Sequence, residues 1–207
     1  MTFGQTAADL SEAVRAARGG DETAFRQLYR EVQPGLLRYL RGLVAPQDAE
    51  DIASETWLQI ARDIRGFRDE GAGFRGWAAT IARHRAMDHL RYTQRRPVAT
   101  LSEEALVGVP GGADTADQAV TAAATDAAIA FIATLPPDQA EAVLLRVVMG
   151  LDTAAVARVV GKRPGAVRTA TWRGLHKLAE RLGQDRPPEV ASAGVTWPGA
   201  QTPRKTG

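Results

Sequence analysis

Cysteine is absent from this 207-residue sequence, so it can form no disulfide and no cysteine-ligated zinc or iron–sulfur centre. A reducing, cytoplasmic setting fits that composition. Apolar runs long enough to cross a bilayer are also lacking. The opening MTFGQTAADLSEA has neither the basic nor the apolar segment of a secretory signal, so no membrane insertion is expected. Histidine is limited to three residues. His84, Asp88 and His89 lie close together on one helical stretch, and His84 with Asp88 has the i, i+4 spacing of metal ligands. His176 is the only other histidine, and no second cluster of carboxylates joins it, so a metal-dependent hydrolase is the remotest of the readings. Neither a cofactor nor an enzymatic activity is expected. A large net charge is missing too. With 26 Lys and Arg against 24 Asp and Glu the sum is only +2, and the information lies in where the charges fall.

What the chain does have is helical periodicity. Leu10, Ala13, Val14 and Ala17 give a short first helix that Gly19-Gly20 ends. Phe25, Leu28, Tyr29, Val32, Leu36, Tyr39, Leu40 and Leu43 carry a longer one, with Pro34-Gly35 expected as a kink rather than an end. Ala49, Ile52, Ala53, Thr56, Trp57, Ile60, Ile64 and Phe67 make a third stripe, with Glu50, Asp51, Glu55, Gln59 and Asp63 turned away from it. The polar loop RDEGAG then leads into Phe74–Arg96. That stretch begins with the apolar positions Phe74, Trp77, Ala78 and Ile81 and ends in a row of cations, Arg83, Arg85, Arg91, Arg95 and Arg96, before Pro97 stops it. A helix anchored by aromatics at one end and carrying guanidinium groups beyond them is suited to lie along phosphates.

Residues 98–124 change character. They contain acids and no Lys or Arg, which marks an acidic linker of flexible composition. A second helical unit is expected over 125–183. Pro136-Pro137-Asp138 opens a helix bearing Ala140, Val143, Leu144, Val147 and Val148, which Gly150 closes. Asp152 can cap the next, LDTAAVARVV. Gly161-Lys162-Arg163 then forms a short turn, and Pro164 starts a last helix at the position that tolerates a missing N–H. Helix, short turn, helix is the arrangement that offers its second helix to a DNA major groove. Val167, Thr171, Gly174, Leu178 and Leu182 are expected to face inward, with Arg168, Thr169, Trp172, Arg173, His176 and Lys177 outward. Residues 184–207, rich in Pro, Gly, Ala and Thr, read as a disordered tail. The fold expected is therefore all-α, with a helical bundle over 6–97 and a helix-turn-helix bundle over 125–183.

Three stretches, GDETAFRQLYREVQPGLLRYLRGL with DAEDIASETWLQI, FRGWAATIARHRAMDHLRYTQRRP, and LPPDQAEAVLLRVVMGLDTAAVARVVGKRPGAVRTATWRGLHKL, resemble in that order the extracytoplasmic-function (ECF) class of bacterial RNA polymerase sigma factors. The resemblance runs from about Leu10 to Leu182. It implies that the chain binds core RNA polymerase and directs promoter recognition, strand opening and initiation. Asp48, Glu50, Asp51, Glu55 and Gln59 would then face the polymerase. Phe67, Arg68, Asp69, Glu70 and the cations Arg83, Arg85, Arg91, Arg95 and Arg96 would serve the minus-ten element, where an unstacked base needs a pocket and the exposed strand needs positive charge. Lys162, Arg163, Arg168, Thr169, Trp172, Arg173 and Lys177 would meet the minus-thirty-five element. Control by an anti-sigma factor or another protein regulator is implied as well, since no sensor segment is evident.

The sequence departs from the family pattern at Ser54, where Gln is common, at Ala166, where Thr is common, and at Ala170, where a basic residue is common. The last departure implies an altered promoter preference. The competing reading within DNA binding is a stand-alone helix-turn-helix regulator, which would bind duplex tightly without polymerase.

Overall fold

The computed structural model describes residues 5–68, 73–95 and 116–184, and every regular element among them is helical. α1 (Gln5–Arg18), α2 (Glu22–Arg41), α3 (Pro46–Asp63) and α4 (Gly73–Arg95) form the first unit, with a 3-10 turn at Ile64–Gly66 after α3. α5 (Ala116–Ala133), α6 (Pro137–Val143), α7 (Thr153–Val160) and α8 (Pro164–Gln184) form the second, and a π-helical turn, Leu144–Val148, continues α6.

Local chemistry sets the boundaries of the first unit. Asp21 opens α2 by accepting hydrogen bonds from the backbone N–H groups of Thr23 and Ala24 at 2.8 and 3.0 Å. α2 runs through Pro34 as one helix, although a proline there leaves one ladder bond unmade. Leu28, Val32, Leu36 and Leu40 line its buried face and meet Ala49, Ile52, Ala53 and Ile60 of α3 and Ala78, Ile81 and Ala82 of α4. Each of the larger aliphatic side chains contributes about 1.5–3 kcal/mol by leaving water. At one end, Trp57 lies between Phe25, Tyr29 and Phe74 and donates its indole N–H to Gln33 at 2.6 Å.

In the second unit Asp152 caps α7, its Oδ1 accepting from the Ala155 N–H at 2.7 Å. Gly161 ends that helix with φ 68°, in the left-handed region that a side chain disfavours, and Pro164 opens α8 directly after the turn Gly161-Lys162-Arg163. Gly174 lets α8 approach α6, since a Cβ there would lie 2.9 Å from Val143 Cγ2.

α5 starts at Ala116 and carries the Ala-rich run 119–133, which the sequence reads as helical on entering the second unit, and Ile129 is buried in the core. Several expectations change. Val147 is 60 % exposed, not part of the α6 stripe. The reason is the π turn, in which the Met149 N–H bonds to the Leu144 carbonyl five residues back. One extra residue per turn rotates the side chains that follow, so Leu144, Leu145 and Met149 stay buried while Val147 swings out. Leu182 is 62 % exposed, because α8 extends past α6 before that point. The rest of the linker, 98–115, and the tail from 185 lie outside the described residues.

The two units are packed together. Leu144, Leu145, Met149, Leu151, Val156 and Val159 join the same apolar core as α2 and α4, and α4 lies against α7.

Candidate nucleic-acid interface

The cation row of α4 divides according to what each guanidinium meets. Arg83 turns toward the second unit, and its Nε donates to Glu141 Oε1 at 2.7 Å while Nη2 reaches Oε2 at 3.4 Å. Burial works against its charge, but the hydrogen bond and charge of Glu141 outweigh it, so the Arg83 pKa is raised. Arg85 lies against α3, donating to Glu55 at 2.6 Å and to Gln59 at 3.0 and 3.2 Å. Arg91 pairs along its own helix with Asp88 at 2.8 Å, and Arg95 is exposed at the end of α4. Arg96 lies outside the described residues.

The acidic face of α3 is spread among partners. Asp48 meets His89 Nε2 at 3.1 Å, Glu50 meets Arg41 at 3.3 Å, and Glu55 and Gln59 hold Arg85. Asp51 points to solvent. His89 thus takes Asp48 as its partner, and among the described residues no group of three His, Asp or Glu side chains converges as metal ligands.

At the end of α3 the chain makes a cleft of about 720 Å³ between the 3-10 turn and the start of α4. Phe67 is buried in its wall, edge-on to Phe74 at 6.0 Å and 4.7 Å from the ring of Trp77. Arg62, Arg68 and Thr80 add a polar rim. Aromatic walls and cationic rim are the chemistry an unstacked base needs. Asp69 and Glu70, expected at the same place, lie outside the described residues. Arg158 also lines the cleft, and it comes from α7 of the second unit. Nothing in its local sequence announced that role.

α8 presents the expected outward face. Arg163, Arg168, Thr169, Arg173 and Lys177 are exposed, and Trp172 is 65 % exposed with its ring stacked on His176 at 5.2 Å. Thr169 spends its hydroxyl on the Gly165 carbonyl at 3.1 Å. Lys162 is drawn to Asp138 of α6 at 2.6 Å.

Two residues were missed in the sequence, Tyr39 as more than core and Glu141 altogether. Tyr39 is fully buried, and its hydroxyl donates to Glu141 Oε1 at 3.0 Å. The signal for Glu141 was an acid inside the otherwise apolar run AEAVLL. Arg41 adds a second crossing, holding both Glu50 and Asp126 of α5 at 3.3 Å.

Comparison with known proteins matches residues 28–96 to the Sigma-70 region 2 family and residues 125–178 to the Sigma-70, region 4 family. Among curated sequences, the ECF RNA polymerase sigma factor BldN of Streptomyces coelicolor is 33 % identical over 180 residues, covering 86 % of this chain and 67 % of its own. The ECF RNA polymerase sigma factor SigD of Mycobacterium tuberculosis is 30 % identical over 181 residues, covering 84 % of each. Two solved structures share the fold: CnrH in complex with the cytosolic domain of CnrY (TM-score 0.60, 19 % identity, 84 % of this chain and 97 % of that one), and RpoE in complex with the anti-sigma factor NepR from Bartonella quintana (0.58, 22 %, 78 % and 98 %).

Proposed function

The chain belongs to the ECF RNA polymerase sigma factors, which direct polymerase to promoters, and from that premise we propose how its surfaces divide the work. The first unit binds core polymerase through the exposed acids of α3, with Glu50 and Asp51 foremost, since both side chains stand in solvent. The cleft walled by Phe67 and Trp77, with Arg68 at its rim, takes an unstacked base of the minus-ten element, and Arg91 and Arg95 hold the phosphates of the opened strand. Arg85 acts within the first unit, keeping α4 in place on α3. In the second unit Arg168 and Arg173 read base edges of the minus-thirty-five element, and Arg163 and Lys162 position the helix on the backbone. Ala170 offers at most an apolar contact to a thymine methyl.

The observation that carries this division is the aromatic cleft at the root of a cationic helix, set apart from a second helix whose outward face is basic. The chain is read as a non-enzymatic initiation factor acting in the cytoplasm. CnrH and RpoE were each captured with a protein partner, one of them an anti-sigma factor, and a protein regulator of that kind is inferred here.

Reconstituted transcription with purified core polymerase, on promoters scanned base by base, is the test. Variants of Arg68 should change the preferred base in the minus-ten element, whereas Arg91→Ala and Arg95→Ala should weaken all sequences alike. Unchanged base preference in the Arg68 variants would remove the cleft from the account. Tight, specific duplex binding without polymerase would instead favour a stand-alone regulator.

A further inference from the structure

Along the outward face of α8, Arg168, Trp172, His176 and Glu180 follow one another at intervals of four residues, so they form one column. A helical side chain leans back over the turn before its own Cα, which brings each member of the column towards the one before it. His176 meets Trp172 in this way. Its ring stacks on the indole at 5.2 Å with 8° between the planes, and its Nε2 lies 3.3 Å from Glu180 Oε1. Arg168 leans the same way, its Nη2 standing 4.0 Å from the place a Cβ on Gly165 would take. The side chains of His176 and Glu180 are both more than half exposed, so neither belongs to the core. An exposed pair of that kind adds little to stability, and what it fixes is orientation.

The stack stands where the reading face has least else to offer. Between Arg168 and Arg173, the Thr169 hydroxyl is bonded to the Gly165 carbonyl, Ala170 has only a methyl group, and Thr171 is half-buried. Trp172 is the remaining side chain of that stretch that reaches outward. An indole has an apolar face, one N–H donor and no acceptor, so in a major groove it suits the C5-methyl group of a thymine. A tryptophan loose in solvent would have to freeze two side-chain torsions to make that contact. One already stacked on a neighbour has given up that freedom before DNA arrives.

We propose that His176 is a positioning residue for promoter reading: held by Glu180, it fixes the Trp172 ring for contact with a thymine methyl group of the upstream element. The proposal rests on the assignment of α8 as the helix that reads that element. What it adds is a brace that touches no base itself. Its effect is on discrimination as well as affinity, because a ring free to swing aside would tolerate a base that lacks the methyl group.

The test is initiation by holoenzyme reconstituted from core polymerase and the full-length chain, on promoters in which each thymine of the upstream element, on either strand, is replaced in turn by uracil. That exchange removes the methyl group alone. In the parent protein one such replacement should lower initiation about fourfold, the worth of one methyl group taken out of water. In Trp172→Ala the same replacement should have no effect. His176→Ala should shrink the methyl effect to less than about half its parental size, and His176→Phe, which keeps a ring to stack, should restore it. Glu180→Ala should fall between the parent and His176→Ala. All four variants should unfold at the parental temperature, since every one of these side chains is exposed. A methyl effect of parental size in His176→Ala would overturn the brace, and so would a loss that His176→Phe does not restore. A parent indifferent to every uracil would overturn the contact that the brace serves. If Arg168→Ala and Arg173→Ala also leave base preference untouched, the failure is that of α8 as a reading helix. If they relax it while the His176 variants match the parent, the failure is that of the brace alone.

Discussion

The hydroxyl of Tyr39 donates to Glu141 at 3.0 Å, so a fully buried phenol of the first unit finds its acceptor only in the second. Burial first, then the charge and hydrogen bond of Glu141, hold that phenol well above its ordinary value near 10. The neutral form is the one the packed state favours. Its contribution is fully present below pH 10 and is lost as pH rises through the raised value. Tyr39 should therefore show phenolate absorbance only above the ordinary tyrosine range, and Glu141→Gln should bring its titration down. A Tyr39 that ionises in the ordinary range in the intact protein would contradict the burial.

Charge reversal at Glu50 and Asp51 should weaken core binding by more than tenfold, about 1.4 kcal/mol, while leaving the fold intact. Glu50 gives up only an exposed pair with Arg41, a contact worth roughly 0–1 kcal/mol. Circular dichroism and pull-down with core polymerase check both halves. Core binding at parental strength would move the polymerase surface elsewhere.

On the recognition helix, Arg168→Ala and Arg173→Ala should relax base preference in the upstream element by about 1–3 kcal/mol per lost bidentate contact. Arg163→Ala should instead lower affinity for all sequences and reduce the salt slope by about one unit. Lys162 must leave Asp138 to reach a phosphate, so Asp138→Ala should strengthen binding without altering preference. Initiation measured on a library randomised at that element separates these outcomes, and equal losses from all the arginine variants would show a helix that positions without reading.

Gly174→Ala should destabilise the second unit by about 1–3 kcal/mol, since the new Cβ would stand 2.9 Å from Val143 and 3.3 Å from Leu135. Thermal unfolding reads this directly. Gly183→Ala, which meets nothing within 4 Å, is the control and should change little.

The helices and most of their inward faces could be read from the sequence because a 3.6-residue period and its caps are local properties. Asp152, Gly161 and Pro164 each act within a few residues of themselves, and each stands where the pattern placed it. The apolar character of Phe67, Phe74 and Trp77 was legible for the same reason, whereas a pocket beside Phe67 was implied only by the family resemblance. Pairings across long separations were not. Glu141 reaches Tyr39 from 102 residues away and Arg83 from 58, and no periodicity connects such positions. Tyr39 read as one more core residue because its face of α2 is apolar whichever unit covers it. Arg83 read as a free cation because a row of arginines hides which member has a partner elsewhere. Val147 was misplaced because a π turn leaves no mark in a pattern counted at the α period.

The π turn makes chain length itself a variable in this molecule. Removing a single residue between Leu144 and Val148 would let α6 continue as an ordinary helix, with every hydrogen bond one residue shorter and nothing obviously broken. A π turn spreads over about one more residue the rotation that an α turn completes in about four, so the shortened helix would reach Met149 at nearly the bearing it has now. Asp152, the turn at Gly161 and the whole of α8 would keep their aim, and what would change is the side chain that now swings out at Val147. A lineage could gain or lose one codon there and leave its two reading heads where they stand.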